Sequence, residues 1–360
     1  MKFTLAESGC NMSARPGCTN LTHPDAEQDI VESLPVLVLN VHSRCNCRCI
    51  MCDIWKREEA SEIRVADLER HRVALRRLGV RWVVLTGGEP LMHSDLAALC
   101  AWLRADDIRL TLLTTGLLLW KRAALVARFF ADVIVSLDGP AELHDSIRRV
   151  HGSFRLVRQG VDALRDQRDD IRITARTTVQ KANFHALGST VEAAKQMGLD
   201  GISFLAADVT SKAFNRPLVW PVERQNEISL SRTEVDRLEE EVERLIVEHA
   251  ADIAAGYIAE GAQKLRRIVR HFRAQLGLEE AIAPVCNAPW TSAVIEADGA
   301  VRPCFFHNVI GNIHDSALDQ VLNSERGRDF RRHLVMADDP TCRQCVCSLN
   351  YRGQARGTVL

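Results

Sequence analysis

The chain has 360 residues, 46% of them hydrophobic, and a formal charge of -1 from 46 basic and 47 acidic side chains. That is enough chain for one large α/β domain plus a smaller module, and the near-neutral balance excludes a global field that would draw it to nucleic acid or to an anionic membrane. Residues 1–35 are polar, carry Glu7, Asp25, Glu27 and Asp29, and lack the apolar run of a signal peptide; residues 110–120, the longest apolar candidate, are too short to cross a bilayer. A cytoplasmic protein with no membrane or nucleic-acid partner is therefore expected. Cytosolic thiols stay reduced, so twelve cysteines point to metal ligation or redox chemistry rather than disulfides.

After residue 35, short β-branched runs alternate with amphipathic helical stretches, the pattern of parallel βαβ units. Strands are expected at 36–42, 82–86, 109–115, 133–137, 172–178 and 202–205. Helices are expected between them, at 65–78, 95–104, 154–165 and 187–197 among others. Six repeats suit an open, partial barrel. A loop with Pro217 and Pro221 then leads to Ser231, a candidate N-cap, and to a long charged helical stretch over 234–275. From Cys286 the text becomes turn-rich: 292–296 and 300–303 flank Asp298-Gly299, a hairpin signal, and a helix over 318–333 precedes the last cysteines. The expected organisation is an N-terminal segment over 1–35, a barrel core over 36–215, a helical bridge over 216–285 and a small C-terminal domain over 286–360.

Cys45, Cys49 and Cys52 have CxxxCxxC spacing and directly follow the first strand, so three thiolates share one loop at a strand's C-terminal end, where active sites gather in parallel barrels. Three thiolates can hold three irons of a 4Fe-4S cluster and leave the fourth open; a zinc site completed by Cys47 or His42 is the alternative. After the second strand comes Thr86-Gly87-Gly88-Glu89-Pro90. Paired glycines permit close backbone approach to a ligand, and Glu89 offers a carboxylate to an ammonium group. Near the end, Cys286 and Cys304 bracket the expected hairpin and Cys342 and Cys345 form a CxxC pair. Four thiolates so placed can close a cluster completely, or a zinc site. The basic residues around 264–273 read as a solvated helix face balancing the acidic 239–243 run.

Together these residues resemble the radical S-adenosylmethionine superfamily, over roughly 36–350. The resemblance implies that Cys45, Cys49 and Cys52 ligate a reactive 4Fe-4S cluster and that Gly87, Gly88, Glu89 and Pro90 contact S-adenosylmethionine. Met51 stands where the family commonly has an aromatic residue over the adenine. The run Ser136-Leu137-Asp138-Gly139-Pro140, with His144, Asp145, Arg148 and Gly152-Ser153-Phe154, resembles the subfamily with an auxiliary-cluster module, in which Ser136 and Arg176 are candidates for the cofactor's ribose and carboxylate. Thr114, Thr115 and Gly116 fall at a further cofactor-contacting turn. The C-terminal text is similar to the SPASM module and its shorter form, twitch: Tyr351 and Ala355 stand where SPASM continues with cysteines, so one auxiliary cluster on Cys286, Cys304, Cys342 and Cys345 is implied, with Cys347 left over as a spare ligand or a substrate-facing group. Cys10, Cys18, Cys47 and Cys100 are expected to be nonligands.

The fold implied is α/β, a partial (β/α)6 TIM-like barrel with a small C-terminal auxiliary-cluster domain of hairpin plus helix. The activity implied is reductive cleavage of S-adenosylmethionine, fed by a low-potential flavodoxin or ferredoxin, to an adenosyl radical that takes hydrogen from a peptide or small metabolite in an oxidative modification. No catalytic acid or base is readable. The competing readings are a redox-neutral rearrangement of the kind used in molybdenum-cofactor synthesis, and a noncatalytic iron-sulfur or zinc protein.

Overall fold

Leu37, Leu39 and Val41, alternate residues of one strand, are fully buried against the surrounding helices, and the intervening Val36, Val38 and Asn40 are also buried. A strand apolar on both faces belongs in the middle of a covered parallel sheet, and that is where the computed structural model, which describes residues 29–216 and 218–352, places it. Six strands, β1 (Val36–His42), β2 (Trp82–Gly87), β3 (Arg109–Thr114), β4 (Asp132–Ser136), β5 (Arg172–Val179) and β6 (Ile202–Ala206), run parallel in the order β6-β5-β4-β3-β2-β1. Helices such as Leu96–Arg104, Ser153–Gln167 and Leu187–Gln196 cover the outer face. This is a partial TIM-like barrel, with strand ends within one or two residues of the sequence expectation.

The sheet does not stop at the barrel. The C-terminal hairpin, β7 (Ser292–Ile295) and β8 (Ala300–Arg302), joins it through parallel pairing of β7 to β1, and a short third strand, β9 (Gly311–Asn312), completes nine strands. Gly299 at φ +83° makes the hairpin turn, as the Asp-Gly signal required. At the opposite edge, β6 is met by residues 257–260: Ile202 N–H donates to the Tyr257 carbonyl (2.7 Å) and Ala259 N–H to the Ile202 carbonyl (2.9 Å).

That contact corrects one sequence expectation. The stretch 234–275 is not one helix but Arg232–Glu248, Ala250–Ala254 and Ala262–Gln275, broken where Gly256 turns at φ +73° and the chain leaves the helical path to cap the β6 edge. Ser231 does N-cap the first piece, in a capping box with Glu234. The expected helix over 318–333 is likewise split, into Leu318–Leu322 and Glu325–His333, because Ser324 starts the second with its own cap to Gly327 N–H (3.2 Å). The 65–78 helix divides at residues 70–71. Cys10, Cys18, Ala355 and most of the 1–35 segment lie outside the described residues. Among the described residues no helix is long and apolar enough to cross a membrane.

Candidate active site

Cys45, Cys49 and Cys52 sit on the loop leaving β1 at the barrel's C-terminal mouth. The loop is held from both sides. Arg48 and Ile50 donate backbone N–H groups to the carbonyls of Arg148 (3.1 Å) and Ile147 (3.1 Å), at the end of helix Ala141–Arg148. The three thiols share one neighbourhood, since Cys52 feels the charges of both Cys49 and Cys45. Burial raises Cys52 to about 12, whereas a hydrogen bond from Cys47 and the nearby Arg148 guanidinium bring the buried Cys49 down to about 6. Cys47 lies between Cys45 and Cys49, bonded to each, and is pushed up accordingly. His42, considered as a fourth ligand for zinc, is occupied: Nδ1 accepts from Arg44 N–H (2.9 Å) and Nε2 faces Glu62 at 3.3 Å.

The glycine turn after β2 is built against that loop. Gly88 N–H donates to the His42 carbonyl (2.8 Å) and Glu89 N–H to the Arg44 carbonyl (2.8 Å). A Cβ on Gly88 would fall 1.9 Å from the Arg44 oxygen, and one on Gly87, at φ +119°, 2.7 Å from the His42 oxygen. The glycines thus serve close approach, as their sequence suggests, with the chain's own cysteine loop as the surface approached. Glu89 is fully buried and its carboxylate accepts from Leu91 N–H (2.9 Å), Thr114 Oγ1 (2.7 Å), Thr115 N–H (2.7 Å) and Thr115 Oγ1 (2.6 Å). Burial raises its pKa while these bonds pull the other way. Pro90, buried, opens the short helical turn that follows.

A third element closes over the loop and was not readable from sequence. Residues 207–216 and 218–221 fold back so that Trp220 Nε1 donates to Asp53 Oδ2 (2.7 Å), while Arg216, buried, pairs with Asp208 (2.6 Å), stacks 3.9 Å over the Trp220 ring and donates to the Met51 carbonyl (3.2 Å). Phe214 and Asn215 both hold positive φ, a strain tolerated where surrounding contacts over-determine the backbone. Met51 is itself buried under this strap.

Across the barrel, Ser136 on β4 and Arg176 on β5 are register partners. Arg176 Nε reaches Ser203 Oγ (3.3 Å), and its charge, weakened by burial, is supported by Cys347 and Glu260. It therefore stands toward the C-terminal cysteines. Those form one group: Cys304 feels Cys286 and Cys347, Cys342 feels Cys304 and Cys286, and Cys345 feels Cys347, Cys304 and Cys286. Cys345 Sγ donates to the Cys347 carbonyl (2.8 Å), Arg267 to the Cys345 carbonyl (2.6 Å), and His307 Nε2 lies 3.4 Å from Cys342 Sγ. Burial raises these thiols, Cys304 to about 12. Cys100 is buried in the helical layer, apart from both groups.

The donor sets fit iron-sulfur clusters on their own chemistry: three convergent thiols beside a buried carboxylate at the mouth, and a group of five thiols in the C-terminal module, with His307 and Asp339 beside Cys342. A partial barrel with a three-cysteine loop at its mouth, a carboxylate turn beside it and a second cysteine group built onto the same sheet defines a radical-SAM-type enzyme. Residues 39–201 match the radical SAM superfamily and residues 286–346 match SPASM, an iron-sulfur cluster-binding domain. The chain belongs to the radical SAM superfamily, in the branch that carries a SPASM module; it is an enzyme, and its cofactors are S-adenosylmethionine and 4Fe-4S clusters. It is 26% identical to the Fe-coproporphyrin III synthase of Methanosarcina barkeri (strain Fusaro / DSM 804), over 89% of this chain and 84% of that one. It is 29% identical to the AdoMet-dependent heme synthase of the same organism, over 80% and 82%. Similarity at 23% identity extends to the Bacillus subtilis (strain 168) subtilosin biosynthesis protein AlbA, over 78% of this chain and 58% of that one. In fold it is similar to anSMEcpe with bound AdoMet (TM-score 0.63, 20% identity, 87% and 86% covered) and to Streptococcus suis SuiB bound to precursor peptide SuiA (TM-score 0.60, 16% identity, 89% and 73%).

Proposed function

We propose that this enzyme oxidatively modifies a carboxylate-bearing small molecule of the tetrapyrrole class, and that it does so with one auxiliary cluster beside the reactive one. The observation that carries this reading is the convergence of five thiols in the C-terminal module, with Arg176 of the barrel sheet acting on one of them, Cys347. More thiols than a closed cluster needs speak for an electron-carrying site rather than for an open iron that binds substrate, so the rearrangement of molybdenum-cofactor type is less well supported. The tetrapyrrole class is favoured over a peptide because the two relatives named for coproporphyrin and heme synthesis are covered over more than four-fifths of their lengths.

In this reading residues 36–215 are the catalytic core, 216–285 the bridge and 286–360 the auxiliary domain. Cys45, Cys49 and Cys52 hold the reactive cluster, and Cys286, Cys304, Cys342 and Cys345 the auxiliary one. When bound, S-adenosylmethionine on the reduced cluster supplies a 5'-deoxyadenosyl radical that takes hydrogen from a substrate C–H bond. The protein's own part is positioning and exclusion. Glu89 faces the cofactor's ammonium group with its oxygens already oriented by Thr114, Thr115 and Leu91. Gly87, Gly88 and Pro90 fix the turn that presents it, Met51 covers the adenine under the strap that carries Arg216 and Trp220, and Ser136 takes the ribose. Arg176, between Ser136 and Cys347, binds a carboxylate. Electrons enter from a flavodoxin- or ferredoxin-type donor.

The test is anaerobic reconstitution with iron and sulfide, followed by dithionite and S-adenosylmethionine. About eight irons per chain together with 5'-deoxyadenosine formation supports the reading. Zinc in place of iron, or clusters without cofactor cleavage, defeats it; cleavage accelerated by a peptide but by no tetrapyrrole moves the substrate to the peptide class.

A further inference from the structure

The segment that follows Cys304 does more than complete the hairpin. Phe306 and His307 give their backbone N–H groups to the Cys304 sulfur, while the His307 ring reaches Cys342, with Nε2 3.4 Å from that sulfur. The ring is 8% exposed and packs edge-on against Phe330, with the centroids 4.8 Å apart. His307 thus touches both Cys304 and Cys342, one through its backbone and the other through its side chain.

Its position is fixed from the barrel side. The His307 carbonyl accepts from Arg302 Nη1 (2.9 Å), Arg302 Nε donates to Glu296 Oε1 (2.9 Å), and Glu296 Oε2 accepts from Asn40 Nδ2 (2.5 Å). Asn40 lies on β1, the strand that leads into the reactive cysteine loop, so this chain of bonds anchors the His307 segment to the sheet on which both cysteine groups are built. On the other side, Asp339 Oδ1 accepts the Cys342 N–H (2.7 Å) and lies 3.8 Å from His307 Nε2.

An imidazole, a carboxylate and a thiol with their ligand atoms within 4.8 Å of one another could hold a divalent metal of their own. The contacts argue for another use. The Asp339 oxygen nearest the ring is engaged by the Cys342 N–H, and the Cys342 sulfur feels Cys304 and Cys286 of the cysteine group. A cysteine that ligates a cluster is a thiolate with no proton to give, so the hydrogen between it and His307 belongs to Nε2. The contact is then an N–H···S bond. Hydrogen bonds to the sulfurs are among the features that set a cluster's potential, because they stabilise the added negative charge of the reduced state. Backbone donors such as Ala288 N–H to the Cys286 sulfur (3.4 Å) belong to the turns themselves. The His307 ring is a side-chain donor, and it can be removed with the turn left in place.

We propose that His307 is a positioning residue that acts through Cys342: its N–H···S bond raises the reduction potential of the auxiliary cluster, so that the cluster accepts the electron given up by the substrate radical before a flavodoxin- or ferredoxin-type carrier removes it. The proposal rests on the reading above that Cys342 is a cluster ligand, and it names the group that tunes that site.

The experiment is a redox titration of the anaerobically reconstituted enzyme, followed by electron paramagnetic resonance with iron and zinc counted per chain, in His307→Phe, His307→Gln and Cys342→Ala. Phenylalanine keeps a ring against Phe330 and cannot donate; glutamine can. The reactive cluster, recognised by the change of its signal on adding S-adenosylmethionine, is the internal reference for an intact fold. His307→Phe is expected to keep all its iron and to shift the auxiliary midpoint to a more negative value with the reactive midpoint unmoved, and His307→Gln to recover part of the shift. An unmoved auxiliary midpoint in His307→Phe overturns the proposal. So does loss of iron or zinc from that variant, which makes His307 a metal ligand. Cys342→Ala separates the two failures: a loss of about four irons keeps Cys342 as a ligand and confines the failure to His307, whereas full iron removes Cys342 from the cluster and overturns the ligand reading as well.

Discussion

The guanidinium of Arg148 lies 3.5 Å from the Cys49 sulfur and is pinned there by a 2.6 Å ion pair with Asp138, whose side chain is completely buried. A fixed cation beside a cluster thiolate stabilises the extra negative charge of the reduced state. Burying such a pair is costly, and removing one partner is worse than removing both. Arg148→Met is therefore expected to destabilise the chain by about 3–5 kcal/mol, and Arg148→Met/Asp138→Asn by less than the single change. Urea unfolding of the metal-free chain checks the energies, and a redox titration followed by electron paramagnetic resonance checks that the first cluster of Arg148→Met reduces at a more negative potential.

Glu89→Gln tests the carboxylate turn. Each carboxylate oxygen now accepts one backbone N–H and one hydroxyl, so an amide NH2 must face one N–H with no acceptor. The cost is about 1–3 kcal/mol. Equilibrium dialysis of S-adenosylmethionine is expected to show at least tenfold weaker binding, with cluster iron unchanged.

His144 carries a pH prediction. Burial lowers its pKa to about 4 from the ordinary 6.5, and Nδ1 accepts from Asp138 N–H (3.2 Å) while Nε2 is buried with no hydrogen-bond partner among the described residues. A base whose folded pKa is depressed contributes full stability above the unfolded value, and that contribution is lost as pH falls from about 6.5 toward 4. The linkage is worth about 3 kcal/mol at the lower end. Unfolding of the metal-free chain at pH 7.5 and pH 5 is expected to show a loss that is reduced in His144→Gln; an equal loss in both proteins refutes the assignment.

The sequence carried the barrel and the cysteine loop well, for physical reasons. Strands such as Leu110-Thr111-Leu112 and Val133-Ile134-Val135 are locally apolar and β-branched, and CxxxCxxC places its thiols within eight residues. What stayed hidden depends on long-range contacts. Trp220 and Asp53 are 167 residues apart, so the strap that carries Arg216 and Trp220 looked like a plain loop. The break at Gly256 was masked by the charged periodicity on either side, and only the unpaired edge of β6 explains it. Arg148 was visible as part of a motif but without a role, because nothing local indicates that its side chain reaches back to Cys49. The basic helix Ala262–Gln275 read as a solvated face, and half of that reading holds: Arg266, Arg270 and Arg273 are paired with Glu239, Glu243 and Glu279, while Lys264 is not.

Gly88→Ala is expected to fail at the cysteine loop rather than at its own turn. Its Cβ would meet the Arg44 backbone at 1.9 Å, and backbone cannot step aside as a flexible side chain can. The loop must shift, at a cost above the roughly 1–3 kcal/mol of ordinary overpacking. Iron per chain after reconstitution is expected to fall toward the content of the C-terminal site alone, which absorbance and iron assay report together.

The C-terminal group holds one thiol more than a closed cluster uses, and Cys342 and Cys347 are the two candidates for the spare. Cys286 and Cys304 act on Cys345, and Cys342 feels Cys304 and Cys286, although it also faces His307 and Asp339. Cys347 acts on Cys304 and Cys345 and feels Cys286, and it also faces Arg176 and Arg267. Burial raises the Cys347 thiol, so it can stay protonated and unligated, whereas removing a ligand opens an iron site. Cys304→Ala is thus expected to lower iron by about four per chain, to retain 5'-deoxyadenosine formation and to abolish product. Cys347→Ala is expected to retain all the iron. If Cys347→Ala instead loses about four irons and Cys342→Ala loses none, then Cys347 is the fourth ligand, and Cys342 with His307 and Asp339 is left as the spare group.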